Sequence, residues 1–428
     1  FTPLIGIILI MLLIITFTYR DVINTYTKTG GAYVVARENF GKVVSQIAAI
    51  ELIFGYILTV AIQTAAGVAA IISAVPELTD HKVLLTVIVI ALLTYINLRG
   101  IKDAGLIFVI PSYLFIIAMF TVFLFGLYRN FTGSLPTYPT DSQGLLPLGE
   151  PQGLLSLAAI LLILKAFANG SASLTGLEAI SDSVALFKEP EHNNARKTLM
   201  LMSATLATLI IGIAWLAHKV VAIPYQEGTP TVISLVAQAA LGDNLFGQGF
   251  YYFVQASTTF ILFAGANTCF NAFPNMVNIV ANDGFLPKQL TKRGHRLAFS
   301  NGIIFISTFA VILVIASNAS ITTLAAIYAL AVFIGFALTG FGMAKRNRGN
   351  KGKFYLHLST GVIAITTVIL LSALKFTDGT WIVVIGTPLI AFIMLRFNQR
   401  YAQENQALIV SSKDSRATSI TRHDVTVL

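Results

Sequence analysis

Apolar residues in this chain come in long unbroken runs separated by short polar stretches. Eleven runs stand near residues 1–19, 43–75, 83–98, 105–128, 154–187, 198–222, 246–282, 301–317, 321–344, 354–375 and 379–396. A helix crosses the hydrocarbon of a bilayer in about 20 residues. The pattern therefore predicts an all-α integral membrane protein of about eleven spans, with tilt or breaks where a run is too long or too short. No soluble domain interrupts the series. The run at 154–187 exceeds one span. Its apolar opening, Leu154 to Leu164, gives way to Lys165-Ala-Phe-Ala-Asn-Gly-Ser-Ala-Ser-Leu-Thr-Gly-Leu-Glu178. This predicts a short helix, an unwound patch at Asn169, Gly170, Ser171 and Ser173, and a second short helix through Ile180. Unpaired backbone at membrane depth is tolerated only within protein or along a wet cavity. Secondary transporters build substrate and ion sites in this way.

Composition agrees. The chain is 56% hydrophobic and 11% charged, against about 25% charged for soluble domains. The net charge of +9 does not form a nucleic-acid patch, because the basic residues fall in alternate loops. Lys345, Arg346, Arg348, Lys351 and Lys353 make the densest group. The alternation places those loops and the C-terminus in the cytoplasm. It places Phe1 outside, which predicts one further span before it. Residues 1–398 read as the transmembrane domain. Residues 399–428 are polar and rich in Ser and Thr, a composition that predicts disorder. Cys269 is the single cysteine, so no disulfide framework or cysteine metal cluster is possible. Its apolar setting predicts a buried, inert thiol.

The chemistry-bearing candidates are few. Glu178 is a carboxylate inside an apolar run, a placement that costs enough to be a functional hypothesis by default. It could exchange a proton near neutral pH, or it could brace the second half-helix. Thr175, three residues earlier, could offer a hydroxyl to the same cavity. Tyr56, Thr59 and Gln63 share one helical face and suggest a wet stripe, although interhelical hydrogen bonds would also use them. Tyr328 fits either a site or ordinary packing. Lys165 fits a gate or a cation that snorkels to the outer interface, and the balance favours snorkelling. The six histidines show no metal-ligand spacing, and no ATP-binding or nucleotide-fold motif occurs. Neither enzymatic activity nor a cofactor is expected, and coupling to an ion gradient is favoured over ATP.

Five motifs then carry a resemblance. They are Gly30-Gly31-Ala32-Tyr33-Val34-Val35; Asn97-Leu98-Arg99-Gly100-Ile101-Lys102-Asp103-Ala104-Gly105; Ser173-Leu174-Thr175-Gly176-Leu177-Glu178-Ala179-Ile180-Ser181; Ala266-Asn267-Thr268; and Asn282-Asp283-Gly284-Phe285-Leu286-Pro287. In this order the chain resembles the amino acid–polyamine–organocation (APC) superfamily. Within it, the chain is most similar to the branch of KimA-type potassium–proton symporters and related bacterial amino acid permeases. The resemblance implies a LeuT/APC-type bundle of inverted repeats with a midplane site. It also implies a broken first helix, which is expected to be missing from this chain. It matches Tyr56, Thr59, Thr175, Glu178 and Tyr328 to substrate or ion positions, with K+ as the one metal ion implied. Gly55 stands where the potassium branch has an aspartate. Glu51, one turn earlier, could supply a displaced carboxylate for coupling, although the balance favours a paired or interfacial acid. The function implied is proton-coupled uptake of potassium or an amino acid across a bacterial plasma membrane, with a homodimer allowed. The alternative is a non-transporting sensor or a truncated remnant.

Overall fold

The computed structural model describes residues 2–26, 30–99, 104–140, 143–146, 163–164, 166–168, 170–291 and 300–408. Its elements are helical, and the described residues hold one isolated β-bridge, Leu145 to Tyr225. The helices are α1 Thr2–Thr25, α2 Gly31–Phe40, α3 Lys42–Ala74, α4 Lys82–Leu98, α5 Ala104–Phe131, α6 Glu178–Asp182, α7 Glu191–Val220, α8 Val232–Leu241, α9 Leu245–Asn282, α10 Ser300–Ala316, α11 Ile321–Arg346, α12 Lys351–Leu374 and α13 Trp381–Leu408. Among the described residues, eight helical segments are long and apolar enough to span a membrane. The more polar α9, the 17-residue α10 and the broken segment around α6 account for the other predicted runs.

Two helices make the centre. The spans of α3 and α11 are each 61% buried, against 17% for those of α4 and α7. The latter two therefore lie at the periphery of the bundle. At 33 residues, α3 is about 50 Å long at about 1.5 Å per residue, longer than the hydrocarbon is thick. It must tilt or extend into the interface. Small residues let its neighbours close in. The Phe263 ring of α9 lies where a side chain on Gly67 would be, and Thr259 donates to the Gly67 carbonyl at 3.2 Å. The backbones of α11 and α12 approach still more closely. A Cβ on Gly340 would stand 2.8 Å from the Gly361 Cα.

The ten-residue helices α2 and α8 were not anticipated, because each is short and lies within a polar connection. Gly30 and Gly41 bracket α2 with positive φ angles of 118° and 86°, and the Thr231 side chain caps α8 by accepting from Ser234 at 3.2 Å. At the C-terminal end of α9, Asp283 accepts from the Tyr33 hydroxyl at 2.6 Å and pairs with Arg37. This ties α2 to α9. Helix α13 continues through Leu408, past the boundary at 398, so the segment read as a tail begins as helix. Residues 409–428 lie outside the described residues.

Candidate functional site

The broken segment is built by one glycine. Helix gives way to a 3-10 turn at Ala172–Leu174, Thr175 is extended (φ −74°, ψ 153°), and Gly176 takes φ +96°. That φ is open to glycine and costly for other L-residues. Helix resumes as α6 at Glu178. The break thus sits at Thr175–Leu177, later than the polar composition indicated. Gly170 and Ser171 are helical, and Ser173 lies in the 3-10 turn. Their hydroxyls explain why. Ser171 donates to the Ala168 carbonyl at 2.8 Å, Ser173 to Gly170 at 2.7 Å and Thr175 to Ala172 at 2.7 Å. Each satisfies a carbonyl of the preceding turn rather than opening it. Asn169 and Lys165 lie outside the described residues.

A cavity of about 380 Å³ opens beside this break. Helix α3 lines it with Glu51, Gly55, Tyr56, Thr59 and Gln63, so the polar stripe borders one space. The break and α6 add Gly176, Glu178 and Asp182. Thr268 and Cys269 of α9 and Tyr328 of α11 complete the polar side. Thr175 is not in the wall, but the Tyr328 hydroxyl lies beside both Thr59 and Thr175. The Thr59 hydroxyl also donates to the Gly55 carbonyl at 2.7 Å, leaving its lone pairs available.

Three carboxylates border the space, and among the described residues no Lys, Arg or His is in its lining. Glu178 is 8% exposed and accepts from the Gly176 N–H through both oxygens, at 3.1 and 2.9 Å. It therefore braces its own half-helix and faces the cavity at once. Glu51 is 3% exposed, with Oε2 unpartnered. The expectation of a paired or interfacial acid is corrected here. The α11 backbone makes room at Gly335, where a Cβ would stand 2.6 Å from Glu51 Oε2. Asp182, which the sequence reading overlooked, is 4% exposed with Oδ1 unpartnered. Its signal was available: it follows Glu178 by one helical turn and shares its face. Cys269 is buried as expected, yet it borders the cavity, a position that its apolar neighbours did not reveal. Below Asp182 a narrower space bordered by Gly30, Ser183 and Asn275 leads toward α2.

Comparisons with known proteins show the family. The family profile described as "Amino acid permease" matches residues 1–397. The chain is 35% identical over 414 residues to the potassium transporter KimA of Bacillus subtilis, an alignment covering 95% of this chain and 66% of that protein. The chain thus spans just under two thirds of that relative. The crystal structure of the Eremococcus coleocola manganese transporter in complex with an aromatic bis-isothiourea-substituted compound is a looser likeness. It shares 15% identity, covers 93% of this chain and 88% of its own, and gives a TM-score of 0.41. By the match across nearly its whole length, this chain belongs to the amino acid permease family of the APC superfamily.

Proposed function

We propose that the protein is a secondary active transporter that takes up a small monovalent cation, potassium before others, in exchange for the energy of a proton gradient. The observation that carries this reading is the charge of the cavity. Three buried carboxylates share it, and among the described residues no basic side chain lines it. Buried charge of one sign needs a counter-charge, and a cationic cargo or protons would supply it.

The same geometry disfavours an amino acid. Its carboxylate would seek free backbone amides at a half-helix start. Here the Gly176 N–H is already held by Glu178, and the cargo's own acid would meet three more. The relative is named a potassium transporter, which agrees with the cation reading. Gly55 removes a carboxylate from the expected position, and Glu51 and Asp182 restore acidic character nearby. Glu178 is assigned the coupling role, because its carboxylate touches both the cavity and the backbone of the break. A proton or cation that draws it off Gly176 would release the start of α6. The alternation of basic loops supports a C-terminus on the cytoplasmic side of a bacterial plasma membrane.

The test is uptake of radiolabelled rubidium by the full-length protein in proteoliposomes under an imposed pH gradient. Uptake that follows the gradient and is lost in Glu178→Gln is the expected result. Gradient-driven uptake of labelled amino acids without rubidium uptake would replace the cation reading. Rubidium uptake with unchanged pH dependence in Glu178→Gln would remove the coupling role.

A further inference from the structure

A second space, of about 310 Å³, opens at the end of the bundle where α3 begins, α9 ends and α13 passes. Lys42 is the first residue of α3, and Lys288 opens the 3-10 turn Lys288–Thr291 after α9. Asn282 closes α9, Asp283 follows it, and Asn398 and Tyr401 line the same space from α13. Measured contacts gather these groups. The Asn398 side-chain amide donates to the Asp283 backbone carbonyl at 3.2 Å. The Lys288 ammonium lies 5.1 Å from the centre of the Tyr401 ring. Gly284, at φ +80°, leaves room between them. A Cβ there would stand 3.3 Å from the Asn398 amide nitrogen and 3.9 Å from the Tyr401 ring.

The charge of this space is opposite to that of the cavity beside Glu178. Among the described residues its lining holds two lysines and one acid, Asp283. That acid is already engaged, because its Oδ2 pairs with Arg37 and accepts from the Tyr33 hydroxyl at 2.6 Å. Lys42 and Lys288 are exposed, so a ligand can reach them. The Asn282 and Asn398 side chains each carry two N–H donors. One donor of each serves within the protein, which leaves a second for a ligand.

We infer that this space binds a phosphate group, either of a free phosphate or of an anionic lipid head. A tetrahedral anion accepts hydrogen bonds from several directions, and here two ammonium groups and two amides surround it from three sides. Charge-assisted hydrogen bonds of this kind are the strong ones. Basic pockets between membrane helices suit phosphate head groups on the cytoplasmic side, the side to which the basic loops assign this end. The occupant would bridge α3, α9 and α13 beside the Tyr33–Asp283–Arg37 tie to α2. The inference does not depend on which cargo the transport cavity takes.

Two binding measurements on the purified full-length protein test the site and separate its sources. One is equilibrium binding of radiolabelled inorganic phosphate in phosphatidylcholine nanodiscs. The other is titration of the detergent-solubilised protein with radiolabelled phosphatidylglycerol. Saturable binding of about one phosphate group per chain is expected in at least one arm. Lys42→Gln combined with Lys288→Gln is expected to raise the half-saturating concentration at least about tenfold, and Asn282→Ala about threefold. Arg396→Gln combined with Arg400→Gln serves as the control, because those arginines line a separate hollow on the other face of α13. It is expected to leave binding within about twofold of wild type. Thermal midpoints in detergent verify that each variant is folded. Binding in the first arm assigns a free phosphate, and binding in the second alone assigns a lipid head. Binding in neither arm overturns the inference, as does binding that the double lysine variant leaves unchanged. An equal loss in the arginine control marks diffuse attraction and also overturns it.

Discussion

Glu178 and Glu51 are both buried acids on one cavity, and their surroundings are opposite. Glu178 lies two residues from the amide it captures, so a local loop fixes it before any packing is considered. Glu51 sits within an uninterrupted helix and points at a notch that another helix leaves open at Gly335. The first acid is positioned by backbone and the second by the absence of a side chain. A broken helix therefore orients charge with its own peptide groups, whereas an intact helix relies on its neighbours to leave space.

That contrast sets how each acid should respond to change. Shortening Glu178 to Asp withdraws the carboxylate from a two-oxygen grip, and rubidium uptake in proteoliposomes is expected to fall on the order of a hundredfold. Glu51→Asp, whose Oε2 has no partner to lose, is expected to stay within about tenfold of wild type in the same assay. Equal losses in the two variants would erase the distinction. Gly176→Ala forces a side chain into φ +96° at a cost of about 1–2 kcal/mol. It is expected to lower uptake about tenfold and also to lower the thermal midpoint in detergent. Gly335→Ala closes the notch against Glu51 and is expected to cut uptake about fivefold, with no change in the response to Glu178 substitutions. The smallest effect is assigned to Gly55→Asp. Nothing lies within 4 Å of a Cβ there, so the carboxylate fits. Apparent rubidium affinity is expected to rise about threefold, measured as the half-saturating concentration for uptake.

The sequence revealed those parts of the site that depend on local order. An acid in an apolar run singled out Glu178, and helical spacing brought Tyr56, Thr59 and Gln63 to one wall. Other features depend on distant partners. The small residues Gly170, Ser171 and Ser173 are compatible with a coil in isolation, yet in the fold they keep helical form, with Ser171 and Ser173 donating to carbonyls of the preceding turn. The break then passes to Gly176, whose backbone angle no composition encodes. Glu51 reads as paired or interfacial until the bare stretch at Gly335, nearly three hundred residues later by sequence, is seen against it. Asp182 was overlooked because it stands at the edge of the run, next to a polar loop, where an acid needs no special explanation. The fold class itself was legible throughout, since hydrophobic runs determine membrane spans.

One contact gives the short helix α6 a wider reach. The Gly30 N–H donates to the Asp182 backbone carbonyl at 3.1 Å, and no side chain on Gly31 separates the Asp182 carboxylate from the α2 backbone. Five residues hold too few turns to absorb a displacement by bending. A tug on the peptide at Gly176 would therefore travel as a rigid push to the start of α2, and from there through Tyr33 to Asp283. Occupancy deep in the bundle would be reported at the aqueous surface by a lever only five residues long.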